Sequence, residues 1–317
     1  MRISENHQLL IIDHVDEAFI HMFNGVEVIY RPTISLADLK EALKQATILV
    51  LRSKLSFNRE WIDSSPKLQL IGRLGSGMDN IDIEYAEKKG ITCLNAPEGN
   101  RNAVAEQTVG MLLGLLANIV KSNQEIANLK WDRKGNQGIE LRNLTVGIIG
   151  YGNIGRRLSD LLQGFGCKVV AYDKYLSGFG QENITEVTLG ELQQVADVVT
   201  LHVPLNTHSK NMINAQFISA MAKPFFLLNL SRGGVVHIPD CIAQLKKGKI
   251  RGLALDVLPN EKLDALTALE SADLHFLSNH SQVILTPHIG GHTQDSYKLM
   301  PEVLANKINS WINQTHF

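Results

Sequence analysis

At 317 residues with 44% hydrophobic side chains, the chain is long enough for two domains and has an ordinary globular composition. A formal net charge of −1 gives no electrostatic case for a nucleic-acid or membrane-surface partner, and no apolar run approaches the roughly 18 residues that a membrane span needs. Cys93, Cys167 and Cys241 lack paired spacing and suit free thiols in a reducing compartment, and the N-terminus lacks a basic-then-apolar signal pattern, so a cytoplasmic protein is expected.

From the N-terminus, the short apolar runs "QLLIID", "GVEVIY", "ATILVLRS", "LQLIGRLGSG" and "GITCLNAP" are separated by helical patterns such as "SLADLKEALKQ". This alternation predicts a parallel sheet. The segment "AVAEQTVGMLLGLLANIVKS" after Asn100 reads as one long helix, apolar over much of its surface, which suits a place between domains or subunits. A polar loop follows, "NLKWDRKGNQGIE".

Leu144–Ile149 is then a β-branched, apolar run of the kind a strand buried on both faces requires. Gly150, Gly152 and Gly155 give G-x-G-x-x-G: a tight turn, a close approach of backbone to a pyrophosphate, and close helix packing. Ile154, Leu158, Leu161, Leu162 and Phe165 recur at helical spacing. A strand over Lys168–Tyr172 leads to Asp173, 18 residues after Gly155, where an acid accepts from the adenosine ribose and repels a 2′-phosphate. A dinucleotide site selecting NAD over NADP is expected.

The alternation resumes with "ADVVTLHVPL", "FFLLNLSRGG", "IRGLALDVL" and "QVILTPHIGG", the remaining strands of a doubly wound sheet, whose ligands bind at the carboxyl ends. The basic run Lys246–Lys249 reads as the end of a solvated helix before Gly248. The strand ends carry Arg232, Asp256, Glu261 and His288. Histidine suits a proton acceptor because it titrates near neutrality. A nearby carboxylate stabilises the imidazolium, and a guanidinium grips a carboxylate in bidentate fashion. His292 lies four residues after His288, but two glycines between them argue against a helix and no third ligand has metal spacing, so no metal is expected.

Six motifs spread over nearly the whole chain resemble the D-isomer-specific 2-hydroxyacid dehydrogenase family. They are "GSGMDNID", "NAPEGNRNAVAE", the glycine fingerprint, "NLSRGG", "ALDV" with Glu261, and "TPHIGGHT". Within it, "LRSK", "KLQLIGRLGSGMDNID" and "KWDRKGNQGIEL" are most similar to the D-3-phosphoglycerate dehydrogenase branch. The resemblance implies an α/β fold of two doubly wound parallel-sheet domains. A Rossmann-type NAD domain over 99–290 is inserted into a flavodoxin-like substrate domain of 1–98 plus 291–317.

By the same resemblance, His288 is the acid/base, Glu261 its partner, and Arg232 the anchor of the substrate carboxylate. NAD contacts are implied for Ser76, Gly150, Gly152, Asn153, Ile154, Gly155, Asp173, Val203, Leu230, Ser231, Arg232, Asp256, His288, Gly290 and Gly291. Arg52, Ser53, Arg73, Leu74, Gly75, Ser76 and Gly77 are implied on the substrate side, with Arg133 and Lys134 as phosphate contacts from a neighbouring subunit of a homodimer.

The expected reaction is NAD-dependent oxidation of a D-2-hydroxy acid, with 3-phospho-D-glycerate as the best single substrate, opening serine synthesis. A glyoxylate/hydroxypyruvate or D-lactate-type reductase is the alternative. A non-catalytic NAD(H)-sensing module like the co-repressors on this fold is the alternative from another class. Two departures stand out: Lys262 where the family has proline after its glutamate, and Leu258 where it has phenylalanine. The chain ends at Phe317, so no serine-binding regulatory module is expected after it.

Overall fold

The computed structural model describes residues 7–23 and 25–315. Residues 1–6 and 316–317, the ends of the expected substrate domain, lie outside the described residues. The chain divides into two compact units, residues 1–100 with 293–317 and residues 101–292. These junctions fall two residues beyond the expected 98/99 and 290/291. The physical reason is local: Gly99 lies so close to Met300 that a Cβ would sit 2.6 Å from its Cα, and Thr293 exchanges capping hydrogen bonds with Ser296 at the start of helix Gln294–Thr315.

The first unit is a five-stranded parallel sheet of β1 (Gln8–Ile11), β2 (Glu27–Tyr30), β3 (Ile48–Leu51), β4 (Leu70–Arg73) and β5 (Thr92–Asn95), in the order β2-β1-β3-β4-β5. Its central strands are continuous apolar runs because both faces are covered. Leu9, Ile11, Ile48 and Val50 pack with Leu304 and Ile308, while Leu10, Leu49 and Leu51 pack with Leu39 and Leu43 on the other face.

The second unit holds β6 (Thr145–Ile149), β7 (Lys168–Tyr172), β8 (Thr185–Glu186), β9 (Val198–Leu201), β10 (Phe225–Asn229), β11 (Ile250–Leu255) and β12 (Val283–Leu285). They form one parallel sheet in the order β12-β11-β10-β9-β6-β7-β8. The winding reverses between β6 and β9, and a doubly wound sheet opens its ligand crevice at that point. The two-residue edge strand β8 has too little apolar pattern to be read from sequence.

The expected long helix is two. Arg101–Leu116 packs on helix Asn153–Gln163, and Ile119–Ala127 follows after a 60° bend. The break sits at Asn118, in the left-handed region at φ 55°. Among the described residues no single helix is long and apolar enough to cross a membrane.

The backbone of β9 continues through His202, whose N–H donates to the Ile149 carbonyl at 2.8 Å. Its Nε2 lies 2.9 Å from the Thr200 hydroxyl, and burial pushes the imidazole down from its usual value to about 3. The unfolded chain therefore binds this proton more readily. The stability that follows is complete above about pH 6.5 and is lost as pH falls toward the folded value, by up to about 1.4 kcal/mol per pH unit. In urea unfolding, wild type should lose more stability than His202→Asn between about pH 7 and pH 5, so that the gap between them narrows. Parallel curves would contradict this.

Candidate active site

The turn after β6 is built from close backbone approaches. Gly150 takes φ +96°, and a Cβ there would lie 2.7 Å from the His202 carbonyl oxygen. A Cβ on Gly155 would run into the Gly150 carbonyl, so the helix can begin this near the strand only with glycine. Gly152 differs, because a Cβ there would meet nothing within 4 Å. Asn153 and Ile154 form the first turn of helix Asn153–Gln163, which has no side-chain cap on its N-terminal N–H groups. Such an end attracts an anion.

Asp173, beyond the end of β7, is oriented by backbone. Its Oδ2 accepts from Tyr151 N–H at 2.8 Å, and its Oδ1 from Tyr175 and Leu176 N–H at 2.9 and 3.1 Å. Gly150, Gly152, Asp173, His202 and Val203 line a cavity of about 460 Å³. Glycine turn, open face, uncapped helix and aimed carboxylate fit a dinucleotide: pyrophosphate against the helix, ribose hydroxyls against Asp173.

The neighbouring strand ends carry Arg232, Glu261 and His288, the residues expected to react. After β10, the buried Asn229 Oδ1 accepts from Ser231 N–H and Oγ at 3.0 and 2.8 Å, and its Nδ2 donates to the Arg232 carbonyl at 2.9 Å. This amide fixes the loop of Leu230, Ser231 and Arg232, where the first two side chains are buried and Arg232 is half-buried. Arg232 Nη1 donates to the Ser231 carbonyl at 2.7 Å. A Cβ on Gly233 would collide with the Leu258 carbonyl group, so this glycine lets the β10 and β11 loops meet.

The β11 loop carries Glu261 toward His288, which follows β12, and His288 Nδ1 lies 2.9 Å from Glu261 Oε2. His288 adopts φ +55°, a conformation that a non-glycine residue keeps only under outside constraint. Its N–H donates to the Asp256 and Thr286 carbonyls at 2.7 and 3.0 Å. The residue after Glu261 has a local role. Lys262 N–H donates to Asn260 Oδ1 at 3.1 Å, an Asx-type turn that proline could not make.

Asp256 was expected to face the cofactor. It is 2% exposed, and its two oxygens accept hydrogen bonds from Gln107, Thr286, Ile289 and Gly290 within the unit. It therefore grips the turn Ile289–Gly290–Gly291 from beneath. Sequence reasoning missed Gln107, Thr286 and Asn229 as shaping residues, although Gln107 is one of few polar residues in an apolar helix. Arg133 and Lys134 are exposed on the loop after helix Ile119–Ala127. That loop is held by Lys121 Nζ donating to the Gly135 carbonyl at 2.6 Å and Gly135 N–H donating to Asp132 at 2.7 Å.

The other residues expected on the substrate side belong to the first unit, at the carboxyl ends of β3 and β4. Arg52 stacks over the Tyr297 ring at 4.6 Å, and its N–H donates to Asp13 at 2.6 Å. Ser53 is exposed beside it. Arg73 is half-buried and Leu74 buried, and Gly75 leaves room for the Arg73 guanidinium. The loop Ser76–Gly77 is tied down through Asn95 Nδ2 to the Ser76 carbonyl at 2.6 Å and Asn100 Nδ2 to Ser76 Oγ at 3.2 Å.

Residues 109–290 match the family described as D-isomer specific 2-hydroxyacid dehydrogenase, NAD binding domain. A D-3-phosphoglycerate dehydrogenase of Methanocaldococcus jannaschii is 35% identical over 309 residues, covering 95% of this chain and 56% of that protein. One from Rattus norvegicus is 32% identical over 312 residues, covering 96% and 56%. The chain thus spans little more than half the length of these curated relatives. The solved D-lactate dehydrogenase from Aquifex aeolicus, complexed with NAD and lactic acid, has a TM-score of 0.82 at 27% identity, covering 97% of this chain and 96% of that one. A glyoxylate reductase structure from Paecilomyes thermophila, 23% identical and covering 97% of this chain and 96% of that one, shares the fold with a TM-score of 0.84.

The two glycines make opposite predictions. Gly152→Ala fills only the open face, so NADH affinity should fall while the melting temperature stays put. Gly155→Ala meets backbone and should lower the melting temperature itself. Equal melting losses in both variants would remove the assignment of that face to a ligand.

Proposed function

The chain belongs to the D-isomer-specific 2-hydroxyacid dehydrogenases, and from that premise we propose an NAD-dependent enzyme interconverting a D-2-hydroxy acid and its 2-oxo acid. The observation that carries this reading is the 2.9 Å contact of His288 Nδ1 with Glu261 Oε2, beside the β10 end that bears Arg232. When bound, NAD supplies the hydride acceptor. The chain's own residues manage the proton and the substrate charge.

With Nδ1–H donated to Glu261, the free Nε2 of neutral His288 takes the hydroxyl proton during oxidation and returns it during reduction. Glu261 fixes that tautomer and stabilises the imidazolium. Both side chains are about half exposed, at 48% and 45%, so the proton has a route to solvent. Arg232 pairs with the substrate carboxylate in bidentate fashion and holds C2 in register. Asp173 favours NAD over NADP by opposing a 2′-phosphate.

For the substrate we propose 3-phospho-D-glycerate, giving 3-phosphooxypyruvate. Support comes from the likeness to two D-3-phosphoglycerate dehydrogenases and from the cations Arg52, Arg73, Arg133 and Lys134. The likeness to the Aquifex D-lactate dehydrogenase favours a second reading, a reductase of small unphosphorylated 2-oxo acids. The homodimer is proposed from an exposed apolar face. Ile119 and Ile126 are about half exposed, Leu129 is 96% and Trp131 80% exposed, all along one helix and its stapled loop. Such a face calls for a partner.

His288→Ala should abolish turnover while NADH still binds; loss of both together would make His288 structural. Replacing Arg133 and Lys134 with alanine should raise KM for a phosphorylated substrate far more than for an unphosphorylated one. Equal effects would remove the phosphate role. Trp131→Asp should shift the protein toward monomer in sedimentation, and an unchanged mass would place the interface elsewhere.

A further inference from the structure

The Asp256 carboxylate is withdrawn from water, where a charge is tolerated only if its oxygens are hydrogen-bonded. Its donors come from separate parts of the unit. Ile289 N–H and Gly290 N–H donate to Oδ1 and Oδ2 at 2.9 and 2.8 Å. The Thr286 hydroxyl donates to Oδ1 at 2.5 Å, and Gln107 Nε2 donates to the same oxygen at 3.0 Å. Gln107 Nε2 also donates to Thr286 Oγ1 at 3.0 Å. The two oxygens are only 2.5 Å apart, so one amide N–H is shared between them, and the same nitrogen also donates to Met111 Sδ at 3.8 Å. The Thr286 hydroxyl has one proton, and the carboxylate oxygen at 2.5 Å is a far better acceptor for it than Met111 Sδ at 3.8 Å.

Ile289 and Gly290 are the two residues after His288, so what grips their N–H groups sets the turn that aims the imidazole. Gly290 is close-packed on the carboxylate, since a Cβ there would lie 3.0 Å from Asp256 Oδ2. We infer that Gln107 is a positioning residue for the acid/base pair, acting through Asp256 and Thr286 on the His288 turn. The inference rests on the proposal that His288 is the acid/base. Glutamine suits the task because an ionised glutamate has no proton to give and leucine has none at all. Buried polar clusters of this kind fix a geometry only when every member is satisfied.

The test uses the full chain with Gln107→Leu and Gln107→Glu. It reads kcat and KM for NADH-linked reduction of 3-phosphooxypyruvate and pyruvate, melting temperature, and hydrogen exchange at the Ile289 and Gly290 amides of the free protein. Gln107→Leu should lower kcat about tenfold to a hundredfold, as expected for a misaimed catalytic group, with KM for NADH within about twofold of wild type. Exchange at Ile289 and Gly290 should accelerate.

In Gln107→Glu, burial and the Asp256 charge raise the pKa of the introduced carboxyl. Protonated, it still donates; ionised, it repels Asp256. Its kcat should therefore approach wild type at low pH and fall as pH rises, over a range where wild type does not fall. Wild-type kcat and exchange in Gln107→Leu would overturn the inference. So would a Gln107→Leu loss that tracks melting temperature and NADH affinity, together with a flat pH response in Gln107→Glu. If wild type reduces neither oxo acid, the functional proposal fails separately, and unchanged exchange at Ile289 and Gly290 in Gln107→Leu still overturns the positioning role.

Discussion

A parallel sheet buried on both faces leaves only its strand ends free for chemistry, and the second unit is organised around that constraint. Phe225 and Leu227 face one core and Phe226 and Leu228 the other, so β10 has no face to offer a ligand. What it offers is its carboxyl end, Asn229–Arg232. The same holds for β6, β7, β11 and β12, whose ends carry the glycine turn, Asp173, Asp256 with Glu261, and His288. Because β10, β11 and β12 are neighbours in register, a cation, a carboxylate and an imidazole emerge side by side from segments far apart in the chain.

Strand ends alone do not aim side chains. Each reactive group here is steered by a group that does no chemistry. The Asn229 amide shapes the Arg232 loop, and the missing Gly233 side chain brings that loop onto Leu258. The Asn260–Lys262 turn shapes the approach to Glu261, and Asp256 holds the left-handed backbone of His288. The loop around Glu261 thus keeps its partner contact without the family's proline. The hydrogen bond from Lys262 N–H to Asn260 Oδ1 holds this loop locally.

The strands, the glycine turn and the acid at position 173 were legible in sequence because each obeys a short-range rule: apolar run, fixed glycine spacing, fixed distance to a carboxylate. The break at Asn118 was not, because an asparagine inside an apolar helical pattern carries no signal of a left-handed turn. The edge strand at Thr185–Glu186 was too short to show a period. The inward orientation of Asp256 was illegible for a different reason. Its partners Gln107 and Thr286 are 149 and 30 residues away, and only the folded sheet brings them together. Arg232, Glu261 and His288 were singled out by kind and motif, and the 2.9 Å contact between the last two is what the fold adds.

NAD-linked oxidation of a D-2-hydroxy acid is the activity proposed for these strand ends. The most direct test is NADH formation with NAD and, in parallel, NADP, offered 3-phospho-D-glycerate, D-glycerate and D-lactate. Turnover with NAD should be well above that with NADP, and kcat/KM should be highest on the phosphorylated acid. A protein that binds NADH but turns over none of the three acids, in either direction, would contradict the proposed activity.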